Sequence, residues 1–171
     1  MKKTVFKYGM IAGVLLAFFM AATLPFMDEK TNMEEGQWIG FAGMILAFAT
    51  IFVAIIKYRN QKLDGRISFG KAFIIGLYIS LIASGIYVIS WMIISHFFVP
   101  DFMTNYTGSV IAGINENETL SQTQRMEQIN QAEAFHEQYK NPVFKFLFTY
   151  VEVLPIGILV TLIAALFLKK K

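Results

Sequence analysis

The chain has 171 residues, of which 56% are hydrophobic, 15% aromatic and only 16% charged, and it contains no cysteine. A water-soluble domain carries about 25% charged residues, so composition excludes an ordinary soluble fold. The missing cysteines exclude disulfides, thiol chemistry, thiolate metal sites and cysteine-linked lipid. The net charge of +3 arises from basic residues that flank apolar runs instead of forming one patch, a pattern of membrane orientation and not of nucleic-acid binding.

Four apolar stretches follow in chain order, within a length suited to one domain. The first runs from about Tyr8 to Met27, behind Lys2, Lys3 and Lys7. It is long for a signal peptide, and the stretch from Met20 to Pro25 makes a poor cleavage site, so a retained helix is expected. The second runs from Trp38 to Ile56, the third from about Ala72 to Phe98, and the fourth from Val143 to Leu168, against Lys169, Lys170 and Lys171. A helix needs about 20 residues to cross the hydrocarbon. The longer third and fourth stretches leave room for tilt. These spans predict an all-α fold, an integral membrane bundle of four transmembrane helices.

Basic residues set the expected threading. Lys2, Lys3 and Lys7, then Lys57, Arg59, Lys62, Arg66 and Lys71, then the three C-terminal lysines all fall on one side, with Asp64 as the only acid there. The other side holds Lys30, Arg125, Lys140 and Lys145. Positive-inside bias then places both termini in the cytoplasm, with the connectors 28–37 and 99–142 outside. Trp38 near one interface, and Tyr8 and Tyr58 near the other, are expected as aromatic anchors.

Lipid supplies little hydrophobic force between helices, so small residues spaced by four mark close contact. Gly9, Gly13, Ala17 and Ala21 form such a stripe on the first span, Gly76, Ser80 and Ser84 on the third, and Gly157, Thr161 and Ala165 on the fourth. The second span offers Gly36/Gly40 and Gly43/Ala47. Packing within one bundle is the main expectation, and dimerisation through one stripe the alternative.

Between the second and third spans, Asp64-Gly65 signals a turn and Ser68 is placed to cap the next helix. In the outer connector, residues 115–140 have few helix breakers and predict one additional helix that ends at Asn141-Pro142. Its partial apolar face of Leu120, Met126, Ile129, Phe135 and Tyr139 suits a segment lying over the bundle mouth or the membrane surface, or one that binds a partner. Gly108, Ser109 and their neighbours read as loop.

Glu152 stands out inside the fourth span. An ionisable side chain at bilayer depth costs about 2.5–3.5 kcal/mol at the centre and marks a functional candidate. Pro155 lacks an N–H, so the Val151 carbonyl loses its helical donor beside that carboxyl. Ser90, Tyr87 and His96 on the third span lie at depths that bring them within expected reach, completing a candidate intramembrane polar site. A buried, hydrogen-bonded Glu is one reading, and proton or ion handling is the other. His96 and His136 do not form a haem pair or a metal set. No phosphate loop, nucleophile elbow or zinc-protease motif appears. No enzyme activity and no cofactor are expected.

Taken together, several motifs resemble one family of small bacterial membrane proteins. They are Tyr8-Gly9 at the start of the first span, the run Gly65-Arg66-Ile67-Ser68-Phe69-Gly70-Lys71-Ala72, Pro100-Asp101-Phe102-Met103, Lys140-Asn141-Pro142, and Glu152-Val153-Leu154-Pro155-Ile156-Gly157. The chain is similar over nearly its whole length to domain of unknown function 4199. The resemblance implies a four-helix inner-membrane protein with a periplasmic outer segment, and it carries no catalytic residues. The expected role is structural or accessory, through contacts with lipid, with itself as a homo-oligomer, or with another envelope protein. The alternative is a small proton- or ion-coupled carrier or channel using Glu152.

Overall fold

Lysines and short side chains are compatible with helix, and α1 (Lys2–Thr23) accordingly begins at Lys2, ahead of the apolar run at Tyr8. A computed structural model describes residues 1–24 and 33–170, leaving aside the side chains of 33–37. The expected end of the first span at Met27, the connector residues 28–32 and the Gly36 side of one small-residue pair lie outside the described residues. Helix α2 (Met33–Phe48) meets α3 (Thr50–Lys62) at Ala49, whose backbone stays right-handed helical. The Thr50 hydroxyl donates to the Ala47 carbonyl at 2.7 Å across this joint. The second span therefore runs over Trp38–Lys62 and ends at Lys62 instead of Ile56. Helix α4 (Phe69–Phe97) and helix α7 (Pro142–Leu168) are the other long apolar elements, so four described helical stretches are long and apolar enough to cross a membrane.

The bundle is organised around α4, which packs most extensively against α1 on one side and α7 on the other. Gly9 faces Ile82 and Gly13 faces Ile86, so α1 and α4 run parallel. A methyl group added at Gly13 would lie 2.7 Å from the Ile86 Cβ, too close to accommodate without movement. The stripe seats only part of α1, since Ala17 is half-buried and Ala21 exposed. Against α7 the small faces meet antiparallel: an added Cβ at Gly76 would sit 2.6 Å from Thr161 Cγ2, and one at Gly157 2.8 Å from Ser80 Cβ. Ser80 and Thr161 share a hydrogen bond at 3.3 Å, and Ser80 also donates to the Gly76 carbonyl at 3.0 Å. Their burial in apolar surroundings is satisfied by that pairing. The α2–α3 span closes the bundle, with Phe48 against Gly157, Ile51 against Gly76, and Gly43 against Phe19 of α1. Gly40 meets nothing.

At the end of the bundle that carries both chain ends, Asp64 (φ 48°) and Gly65 (φ 80°) take the left-handed region that lets the chain reverse. Leu63 and Gly65 amides both donate to the Arg59 carbonyl at 3.1 Å. Ser68 caps α4 by accepting from the Lys71 amide at 3.4 Å. The connector is stitched to the C-terminal segment by an antiparallel bridge, Ile67 with Lys170, each amide donating to the other's carbonyl at 2.9 Å. The Arg59 guanidinium also reaches the Leu168 carbonyl at 3.2 Å, satisfying one of the free acceptors at the α7 terminus. Tyr8 and Tyr58, expected as anchors in lipid, are instead buried in the core, while Trp38 is exposed.

At the other end the helix expected over 115–140 is α6 (Gln122–Tyr139), which starts later than expected and is preceded by a further helix, α5 (Phe102–Glu116). Asn117 breaks them by accepting from the amide and hydroxyl of Thr119 at 3.0 and 2.6 Å, a local turn that competes with helix. Ser121 and Gln124 then form a complete capping box for α6. Gly108 and Ser109, expected in loop, lie within α5. Contact with α6 offsets the low helix propensity of its glycines and β-branched residues.

The close α4–α7 crossing generates a direct expectation. Gly76→Ala should lower stability by about 1–3 kcal/mol through overpacking, whereas Gly85→Ala, which faces open space, should be neutral or slightly stabilising. Thermal unfolding of both variants in one detergent checks this. Equal melting temperatures would refute the crossing.

Candidate functional site

The polar chemistry of the spans converges where α4 ends and α7 begins, beneath α6. Asn141 caps α7, its Oδ1 accepting from the Val143 amide at 2.9 Å and the Phe144 amide at 3.4 Å, and Pro142 occupies the first turn, where its missing N–H costs nothing. This start places Lys145 so that its ammonium donates to Ser95 Oγ of α4 at 3.4 Å and lies 5.2 Å from the Tyr139 ring centroid. That distance suits a cation–π contact. Trp91 of α4 donates its indole N–H to the Tyr139 hydroxyl at 2.7 Å, and both residues are buried. The Thr149 hydroxyl donates to the Lys145 carbonyl one turn back at 2.8 Å. Phe135 of α6 lies edge-on to Phe144 and Phe148 of α7, with ring centroids 5.9 and 4.9 Å away. Those contacts seal α6 onto α7.

Burial pushes the Tyr139 phenol above its ordinary value of 10.0. Hydrogen bonds from Trp91 and with Thr149 oppose that shift, while the negative charge of Glu152 adds to it. Glu152 therefore lies within electrostatic range of this cluster. It stands seven residues beyond Lys145 on α7, or about 10 Å along the axis, too far for an ion pair. Among the described residues no salt bridge joins them. The Glu152 side chain is exposed at the bundle surface, as is Pro155. Core contacts of α7 are made instead by Thr149, Val153, Gly157 and Thr161.

The other residues expected around Glu152 divide. Tyr87 is half-buried on the α4 side of the junction and lies within electrostatic range of Glu152. Ser90 is half-buried, and no hydrogen bond joins it to Glu152 among the described residues. His96 is exposed and turned edge-on to Phe97, ring centroids 4.6 Å apart, on the face of α4 that also exposes Ile89 and Ile93. It is not part of the cluster. The helical phase accounts for this: Trp91 and Ser95 share the buried face, and His96 follows Ser95 by one residue. The Ser84 hydroxyl is fully buried on that same buried face, with no hydrogen-bond partner among the described residues.

Sequence pattern placed Tyr139 on the apolar face of the outer helix but did not join it to Trp91, Ser95 and Lys145 as one junction. Their signal was the preference of Trp and Tyr for membrane interfaces, since both aromatics lie within two turns of a span boundary. Chemically the cluster holds hydrogen bonds and a cation, with the Ser95 hydroxyl set beside the Lys145 ammonium. Among the described residues no group of three or more His, Cys, Asp or Glu side chains is placed to hold a metal.

Tyr139→Phe leaves the buried Trp91 N–H unpaired and should cost about 1–3 kcal/mol, read as faster proteolysis of the connector and faster exchange of α6 amides. The sign of the pH effect follows from the raised phenol: a proton held more tightly when α6 is docked stabilises docking below pH 10.0 and is lost as pH rises through and above it. Amide exchange in α6 should accelerate there in the natural protein, and Tyr139→Phe should abolish that pH-dependent increment. An unchanged increment in the variant would assign it to another group.

A family model described as protein of unknown function (DUF4199) matches residues 7–170. No curated protein and no solved structure matches the chain. With four apolar spans and a family match over almost all of its length, the chain belongs to the DUF4199 family of proteins of unknown function.

Proposed function

We propose that this is a non-enzymatic accessory protein of the bacterial inner membrane that works through contacts of its α5–α6 hairpin, with both termini in the cytoplasm. The observation that carries the reading is the closed interior. Ser80 and Thr161, the polar pair of the α4–α7 crossing, bond to each other at 3.3 Å and are wholly buried, and the flanking glycines leave no room for a methyl group. A conduction path needs polar groups open to water, and this crossing has none. Basic residues at the end with the chain termini support the orientation. The hairpin on the opposite side presents an open face of α6 containing Gln122, Met126, Glu127 and Asn130, with Met126 60% exposed. An exposed apolar residue framed by amides and an acid suits protein contact.

A second reading has its own observation. Glu152 is an exposed carboxyl at hydrocarbon depth, and Tyr87 together with the unpartnered Ser84 hydroxyl would extend a polar track inward from it. In an oligomer that track would serve a proton- or ion-coupled carrier.

A photo-crosslinking amino acid in place of Met126 tests the first reading in native membranes. It should trap a specific envelope protein, which a crosslinker at lipid-facing Val53 does not trap. Glu152→Gln should leave that capture intact. Absence of any trapped partner, together with pH-dependent flux in proteoliposomes that Glu152→Gln removes, would replace the accessory role with the carrier.

A further inference from the structure

Ten of the described cations lie at the bundle end that carries the chain termini, drawn from the start of α1, the last two turns of α3 with the connector and first turn of α4, and the end of α7, and Asp64 is the one acidic side chain in those segments. Like charges so placed repel, yet the fold holds them together. The Ile67–Lys170 bridge ties the connector to the C-terminal segment, so Arg66 and Lys169, each next in chain to a bridged residue, lie within about a Debye length at 0.1 M salt. Arg59 is held beside them by the Leu168 carbonyl. Lys62, Arg66, Lys71, Lys169 and Lys170 are all exposed. Among the described residues the ion pair that forms, Lys140 with Glu137, is at the opposite end, and none joins these cations to a carboxylate.

We propose that this end is a seat for the phosphate groups of anionic lipid, and that lipid headgroups hold the Ile67–Lys170 clasp closed. The span ends meet the headgroup layer at this depth, and clustered Lys and Arg beside a transmembrane helix recognise anionic lipid by attraction that falls within a Debye length. The fold adds something to simple positive-inside bias. Three segments distant in sequence contribute to one cup, and closing the clasp brings their charges together. Anionic headgroups relieve the repulsion only when the clasp is closed, so lipid binding and clasp closure reinforce each other. A free phosphate ion offers the same chemistry without the membrane, and the experiment separates the two sources.

The full chain is reconstituted in nanodiscs of phosphatidylcholine alone, and of phosphatidylcholine mixed with phosphatidylglycerol. Anionic lipid should raise the melting temperature by about 5 °C and slow amide exchange at Ile67 and Lys170. Both gains should shrink as salt rises from about 0.05 to about 1 M, where screening shortens to about 3 Å. Inorganic phosphate added to phosphatidylcholine discs should reproduce neither gain. The triple variant Lys62→Gln, Arg66→Gln, Lys71→Gln should melt at or above the natural protein's temperature in phosphatidylcholine and lose most of the gain from phosphatidylglycerol. If it does not fold, Arg66→Gln alone should lose part of the gain. Identical melting and exchange in both lipids would overturn the proposal. An equal gain from free phosphate would replace lipid with a soluble anion, and a full gain retained in the variant would remove the seat from these residues.

Discussion

Everything in this bundle depends on how closely α4 approaches α7. A lipid-embedded helix gains nothing from hiding apolar surface in another apolar phase, so association comes from dispersion contact and interhelical hydrogen bonds. Gly76 and Gly157 bring the two backbones near enough for the Ser80–Thr161 hydrogen bond to form directly at 3.3 Å. The register set there reaches both ends. Moving α7 by one turn, about 5.4 Å, would separate Lys145 from Ser95 at one end and Lys170 from Ile67 at the other. Both polar junctions thus report the same antiparallel alignment. The α1 helix then lies along α4 through Gly9 and Gly13, and α2–α3 fills the remaining side with Phe48 and Ile51.

Much of this was legible because the bilayer reduces the physical alternatives. Backbone groups in hydrocarbon must be satisfied internally, which makes long apolar runs helices, and the glycine stripes could hardly serve except as contact faces. Asp64-Gly65 and Ser68 were readable for the same local reason, each carrying its own turn or cap chemistry. Outside the membrane that constraint disappears. Gly108 spoke against α5, while the turn at Asn117 and the Ser121–Gln124 capping box moved the start of the expected outer helix from 115 to Gln122. The stripe on α1 was overextended because four-residue spacing drifts around a helix of 3.6 residues per turn, carrying Ala21 off the contact face. Tyr8 and Tyr58 were misplaced for a related reason: the preference of Tyr for interfaces gives depth but not direction, and in both cases direction was inward.

The two ends solve different problems. Beneath α6 the contacts are short-range and specific, with an indole–phenol hydrogen bond, an ammonium over a ring and edge-on phenylalanines. The indole–phenol pair among them is buried and so little screened by salt. At the end with the chain termini the fastening is a single backbone bridge and one guanidinium–carbonyl contact among many like charges. The two ends are therefore fastened by different kinds of contact.

Glu152 remains the residue that packing does not call for. The core face of α7 is complete without it, since Thr149, Val153, Gly157 and Thr161 make the contacts. Its depth reduces the penalty without removing it. If Lys145 marks the edge of the hydrocarbon, Glu152 lies about 10 Å inward, roughly two-thirds of the way to the centre of a core about 30 Å thick. An exposed carboxylate there has a cost approaching the about 2.5–3.5 kcal/mol of the midplane. Pro155 sits one turn deeper on the same exposed side, leaving the Val151 carbonyl without its helical donor. A carboxyl on the exposed face and a carbonyl freed by Pro155 within one turn of helix favour whatever brings donors to them, such as a helix of a partner, a lipid headgroup drawn inward or water. A silent structural role would be served equally well by Gln, which keeps the shape and an acceptor while carrying no charge. The presence of an ionisable group at that position is therefore the feature that distinguishes α7 from the other spans, and it lies on the side of the bundle left open by the fold.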